Sequence, residues 1–150
     1  MKKNYALELY RQMFVSVKRG NSKGVFSHAK PIFLITIIDS IPNALKKNHL
    51  LWGNKVFDSL YIKNWTELSS QKITPIWKPF FYLSSEPFYE LRWQEKPPDH
   101  SLSFPSGKVL KDFLNYAKLD DELWKLLQDE SNRSYLRECL IKYYFTSENK

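Results

Sequence analysis

Three histidines, one cysteine and sixteen carboxylates are the side chains in this sequence that could carry proton transfer, nucleophilic attack or metal chemistry. Their spacing supports none of these. His28, His49 and His100 stand far apart, so no two share a helical turn as paired metal ligands do. Cys139 stands alone, which rules out a cysteine-built zinc site and an internal disulfide and suits a reducing, cytoplasmic compartment. One common nuclease core sets an acid, any residue and Lys along a strand to hold a metal ion. Here the only such triplet is Glu148-Asn149-Lys150, at the end of the chain. Asp120, Asp121 and Glu122 read as a helix start, where the helix dipole favours acids. No glycine-rich phosphate loop is present among only four glycines. The expectation is a protein without catalytic residues, metal or cofactor.

The remaining chemistry is that of binding. The net charge is +7, and residues 1–30 hold seven Lys/Arg against one acid, so nearly all the excess lies in one fifth of the chain. Such asymmetry points to an anionic partner. Five Trp, nine Tyr and ten Phe exceed what a basic face needs. Most of them suit a core, and some suit a surface that contacts bases or sugars.

A chain of 150 residues with 43% hydrophobic content predicts one packed domain, with its core over about residues 5–145. Residues 4–18 place Ala6, Leu9, Tyr10, Met13 and Val17 at helical spacing, and Gly20 stops that helix. A basic loop over 19–29 follows. Lys30-Pro31 opens the run Ile32–Ile38, predicted as a buried helix with Pro at its first position and Pro42 closing it. Leu50-Leu51-Trp52 reads as a short strand. Asn54 caps a helix over 55–67 with Val56, Leu60, Tyr61 and Trp65 inward. Two aromatic runs, Pro79–Leu83 and Phe88–Trp93, flank Ser84-Ser85-Glu86-Pro87 and predict a β-hairpin. Ser106 caps a helix over 107–115, Asp120 another with Leu123, Trp124 and Leu127 buried, and a last helix runs over about 131–145. The fold class is α+β, mostly helical, with a small antiparallel hairpin or sheet. The longest apolar run is about one third of the ~20 residues a membrane-spanning helix needs, and no leader segment is expected.

Three segments, in this order and spacing, carry a resemblance. They are Ala29-Lys30-Pro31 with Ile32–Asp39; Pro79-Phe80-Phe81-Tyr82-Leu83 with Ser84–Leu91; and Phe104-Pro105-Ser106-Gly107-Lys108 with Leu119–Trp124 and Leu140–Phe145. Over about residues 5–145 the chain resembles the sulfur-binding domain of modification-dependent restriction endonucleases of the His-Asn-His type. That resemblance implies a reader of phosphorothioate DNA, in which sulfur replaces a non-bridging phosphate oxygen, in a bacterial defence setting. Basic residues grip the backbone and a shallow apolar pocket seats the sulfur. Sulfur is more weakly hydrated than oxygen, so an apolar wall penalises it less.

The grip is expected from Arg19, Lys23, His28, Lys30, Lys78 and Lys108, and the pocket from Lys30, Trp77, Pro79, Tyr82, His100 and Ser106. Many relatives have His where Ala29 stands and an aromatic where Lys78 stands. Family members continue into a nuclease domain after the position of Phe145, so the expectation is either a free-standing reader or one that works with a separate nuclease effector. The partner is double-stranded DNA. The residues themselves leave two other readings open: a binder of unmodified or otherwise modified DNA, and a protein-interaction module that kept the fold.

Overall fold

The helix Ala29–Ser40 (α2) explains the rest of the architecture. It is apolar on every side, and ten of its twelve residues are buried. A helix of that kind must be surrounded by other elements. In the computed structural model, which describes residues 4–146, α2 is the central strut. Lys2, Lys3 and the Glu148-Asn149-Lys150 triplet lie outside the described residues.

Tyr5–Phe14 (α1) precedes α2, capped by Asn4, whose side chain accepts from Leu7 N–H at 3.0 Å. A two-stranded ribbon, Asn21–Ser22 (β1) with Val25–Phe26 (β2), connects the two helices. Lys55–Leu68 (α3) and Glu130–Phe145 (α8) pack on α2. Between them run Trp77–Tyr82 (α4), Tyr89–Trp93 (β3), Asp99–Ser103 (α5), Gly107–Phe113 (α6), Leu114–Leu119 (β4) and Asp121–Leu126 (α7). The α+β, mostly helical class therefore holds: eight helices and two small antiparallel sheets among the described residues.

Phe33 lies at the centre, fully buried, with Phe57, Tyr61, Phe80 and Tyr89 rings meeting it at centroid distances of 5.3–6.5 Å. The polar groups of α2 are satisfied where they sit. Thr36 Oγ1 donates to Ile32 O and Ser40 Oγ to Ile37 O, both at 2.7 Å. Asp39 takes two bonds from Arg137 of α8, at 2.7 and 3.2 Å, and one from Asn64 of α3 at 3.1 Å. This carboxylate fixes the register of three helices at once, because a displaced partner would leave a half-buried charge uncompensated.

Several expected elements differ. The hairpin over 79–93 does not form. Pro79–Tyr82 is helical and Leu83–Ser85 a turn of 3-10 helix, while Tyr89–Trp93 pairs with Leu114–Leu119, Tyr89 opposite Leu119. A continuous apolar run does not reveal its period, and here Phe80 and Leu83 are buried at helical spacing. Pro79 falls in the first turn of α4, where its missing N–H costs nothing. The helix expected over 107–115 stops at Phe113, because Leu114, Ala117 and Leu119 bury themselves in the sheet. The strand at 50–52 reduces to one bridge, Leu50 to Ala117. The first helix ends at Phe14, short of 18. Pro31 is third in α2, not first. Phe57, not Val56, faces the core from α3. Trp124 of α7 is only half-buried. Asp120 begins α7 without a side-chain cap bond; its carboxylate accepts from Tyr10 Oη at 3.2 Å. Asn54 and Ser106 do cap as expected, accepting from Phe57 N–H at 3.0 Å and Val109 N–H at 3.3 Å.

Candidate nucleic-acid interface

Where the chain leaves α1, enters α2 and passes through α4, the three segments enclose a cleft of about 520 Å³. Lys18, Arg19 and Gly20 come from the first segment, Ser27, Ala29 and Lys30 from the second, and Thr74, Lys78, Pro79, Tyr82 and Ser85 from the third. Four of these residues are cations and none is an acid. Pro79, Ala29 and the half-exposed Tyr82 supply apolar surface between the charges.

Each cation is held differently. The Arg19 guanidinium lies between two rings, 4.9 Å from the Phe26 centroid and 4.6 Å from that of Tyr144. Both contacts favour the planar cation. Tyr144 is itself fixed, its hydroxyl donating to Phe14 O at 2.7 Å, and burial pushes its pKa well up. Arg19 therefore reaches the cleft as a pre-positioned group. The Lys30 ammonium donates to Ser85 Oγ at 3.2 Å and stands 3.9 Å from Glu86 Oε2. Burial lowers the Lys30 pKa; Glu86 opposes that shift and Lys18 adds to it. Glu86 is buried behind the cleft and also accepts from the backbone N–H of Lys18 at 3.0 Å. Lys78 is exposed, its ammonium 5.8 Å from the Trp77 ring centroid.

The expected site residues divide. Arg19, Lys30, Lys78, Pro79 and Tyr82 come together in the cleft although Arg19 and Tyr82 stand 63 positions apart in the sequence. Ala29 and Lys78 both line it, one adding a methyl group and the other a charge. The other six expected residues do not line it. Lys23 is at the exposed tip of the β1–β2 ribbon, with φ +53°. His28 is in the core, its Nδ1 2.7 Å from Ser69 Oγ and its ring edge-on to Phe145. Trp77 is half-buried against the core, where its Cβ would lie 3.8 Å from a Cβ added at Gly107. His100 is exposed on α5 with its ring centroid 6.2 Å from that of Phe104, Ser106 caps α6, and Lys108 pairs with Asp112 at 2.7 Å.

Lys18, Ser85 and Glu86 join the site without having been singled out. The only signal for Glu86 was a lone acid in a turn between aromatic runs.

Cations around an apolar floor can hold a phosphodiester: the charged oxygens face Lys and Arg, and a weakly hydrated atom faces the floor. Among the described residues, no three His, Cys, Asp or Glu side chains gather into a group that could hold a metal ion. No helix there is long and apolar enough to cross a membrane. No protein-family model matches the chain, and no curated protein matches it.

Proposed function

We propose that this protein binds the backbone of double-stranded DNA in the α1–α2–α4 cleft and reads a phosphorothioate there, without cutting the DNA itself. The observation that carries this reading is the cleft's composition: Lys18, Arg19, Lys30 and Lys78 around Ala29, Pro79 and Tyr82. The cations give affinity for any phosphate, and that affinity falls with added salt because DNA counterions are released on binding. The apolar floor gives the choice. A non-bridging oxygen placed against it loses hydration worth about 0.5–2 kcal/mol more than sulfur loses, a preference of roughly 2–30-fold. Discrimination is thus a small difference between two affinities.

The test is competition between two duplexes of one sequence, one carrying a single phosphorothioate, followed by fluorescence anisotropy. A sulfur preference within that range, with Lys30→Ala weakening both duplexes, supports the reading. Equal affinities for the two duplexes refute the sulfur claim and leave a reader of plain DNA. Unchanged binding by Lys30→Ala removes the cleft from the interface.

A further inference from the structure

Glu86 has no place in a simple cationic grip, yet it is the most buried acid near the cleft, 9% exposed. One oxygen, Oε2, accepts the Lys18 backbone N–H at 3.0 Å and faces the Lys30 ammonium at 3.9 Å. It thereby ties the segment carrying Lys18 and Arg19 to the segment carrying Lys30. Its neighbour Ser85 takes one of the three Lys30 donors at 3.2 Å. The ammonium is held from the side of this turn, and part of its charge is already answered.

We infer that Glu86 is a positioning residue for Lys30 that sets the cleft's selectivity, trading strength of grip on any phosphate for discrimination between sulfur and oxygen. The inference rests on the cleft being a phosphodiester site. A free ammonium is a mobile, strongly hydrated donor and attracts oxygen on either side of a phosphate. Such an ammonium could swing to an oxygen seated on the apolar floor and repay the hydration that the floor takes away. Held by Ser85 and Glu86, Lys30 cannot do this, and the atom on the floor is judged by hydration alone. The carboxylate also removes one charge from the local field, lowering affinity that carries no information about sulfur.

The experiment is the pair of matched duplexes, with and without one phosphorothioate, titrated at several salt concentrations against wild type, Glu86→Gln and Ser85→Ala. Glu86→Gln keeps an oxygen for the Lys18 N–H and removes the charge. Expected for Glu86→Gln are tighter binding of the unmodified duplex, about 3–10-fold at low salt, and a log K against log salt slope steeper by up to about 0.9. The sulfur-to-oxygen affinity ratio falls about threefold or more, towards one, because the released ammonium returns part of the discarded oxygen hydration. Ser85→Ala, a surface change that leaves the charge in place, lowers the ratio in the same direction with the slope unchanged. If wild type prefers sulfur and both variants keep its ratio, the assignment to Glu86 is overturned while the proposed function stands. If wild type itself shows no preference, the function reading has failed and the inference with it.

Discussion

Replacing Lys30 by Met removes an ammonium and keeps most of an aliphatic stem, so it isolates the charge. In the folded protein that charge stands 3.9 Å from Glu86 Oε2, with the two side chains 12% and 10% exposed. At this separation and an effective dielectric near 20 the attraction is about 4 kcal/mol, most of it offset by the burial of both charges. The variant leaves Glu86 with the Lys18 N–H as its remaining partner in this turn. Breaking a fully buried pair costs about 3–5 kcal/mol, and here the rim position and that backbone bond reduce the loss to about 1–3 kcal/mol. With a urea slope of about 2 kcal/mol per molar, the unfolding midpoint drops by roughly 0.5–1.5 M. Tryptophan fluorescence during urea titration measures it. The double variant Lys30→Met with Glu86→Gln recovers most of the loss, giving a coupling of about 1 kcal/mol or more. In DNA titrations Lys30→Met weakens binding about 10–100-fold and flattens the salt slope by about 1. A midpoint unchanged in Lys30→Met, or strict additivity in the double variant, would refute the pairing on which the account of Lys30 depends.

Three further outcomes follow from the same geometry. Burial depresses the Lys30 pKa, with Glu86 working against the shift and Lys18 with it. Its charged form holds phosphate, so affinity is full below the folded Lys30 pKa and falls as pH rises through it, before exposed lysines discharge; Lys30→Arg abolishes this loss in anisotropy titrations across alkaline pH. Tyr144→Phe removes a buried hydroxyl donor to Phe14 O but keeps the ring under Arg19; it costs about 1–2 kcal/mol in urea and leaves DNA affinity unchanged, whereas Tyr144→Leu lowers both. Asn54→Ala removes the α3 cap and a bond to Ala44 O at 3.3 Å, lowering stability by about 1 kcal/mol with no effect on binding.

The parts of this fold that could be read from sequence are those whose causes are local. Apolar character on every side marked α2 as buried, and Asn54 and Ser106 announced their helices because a cap is a contact across three residues. The second half of the chain was misread for the opposite reason. Tyr89–Trp93 found its partner in Leu114–Leu119, more than twenty residues on, and not in the aromatic run just before it. Nothing within either run records that choice; it is made by how Phe80, Leu83 and Ala117 bury. The site divided along the same line. Lys30, Pro79 and Tyr82 were expected from a resemblance, not from local pattern, and they line one cleft. His28 was expected to contact DNA, but at the N-terminal boundary of α2 it turns inward onto Ser69 and Phe145. Glu86 was invisible as a partner of Lys30 because fifty-five residues separate them.

The central claim is that the cleft seats a phosphorothioate with its soft atom on the apolar floor. The most direct measurement uses a duplex with one selenium in place of that sulfur, co-crystallised with the protein, and locates selenium by its anomalous scattering. A single peak is expected within about 4 Å of the Pro79 ring and Tyr82, the remaining phosphate oxygen facing Lys30 and Arg19. A selenium peak on any other face of the protein, or in the cleft but turned towards the cations, would contradict it.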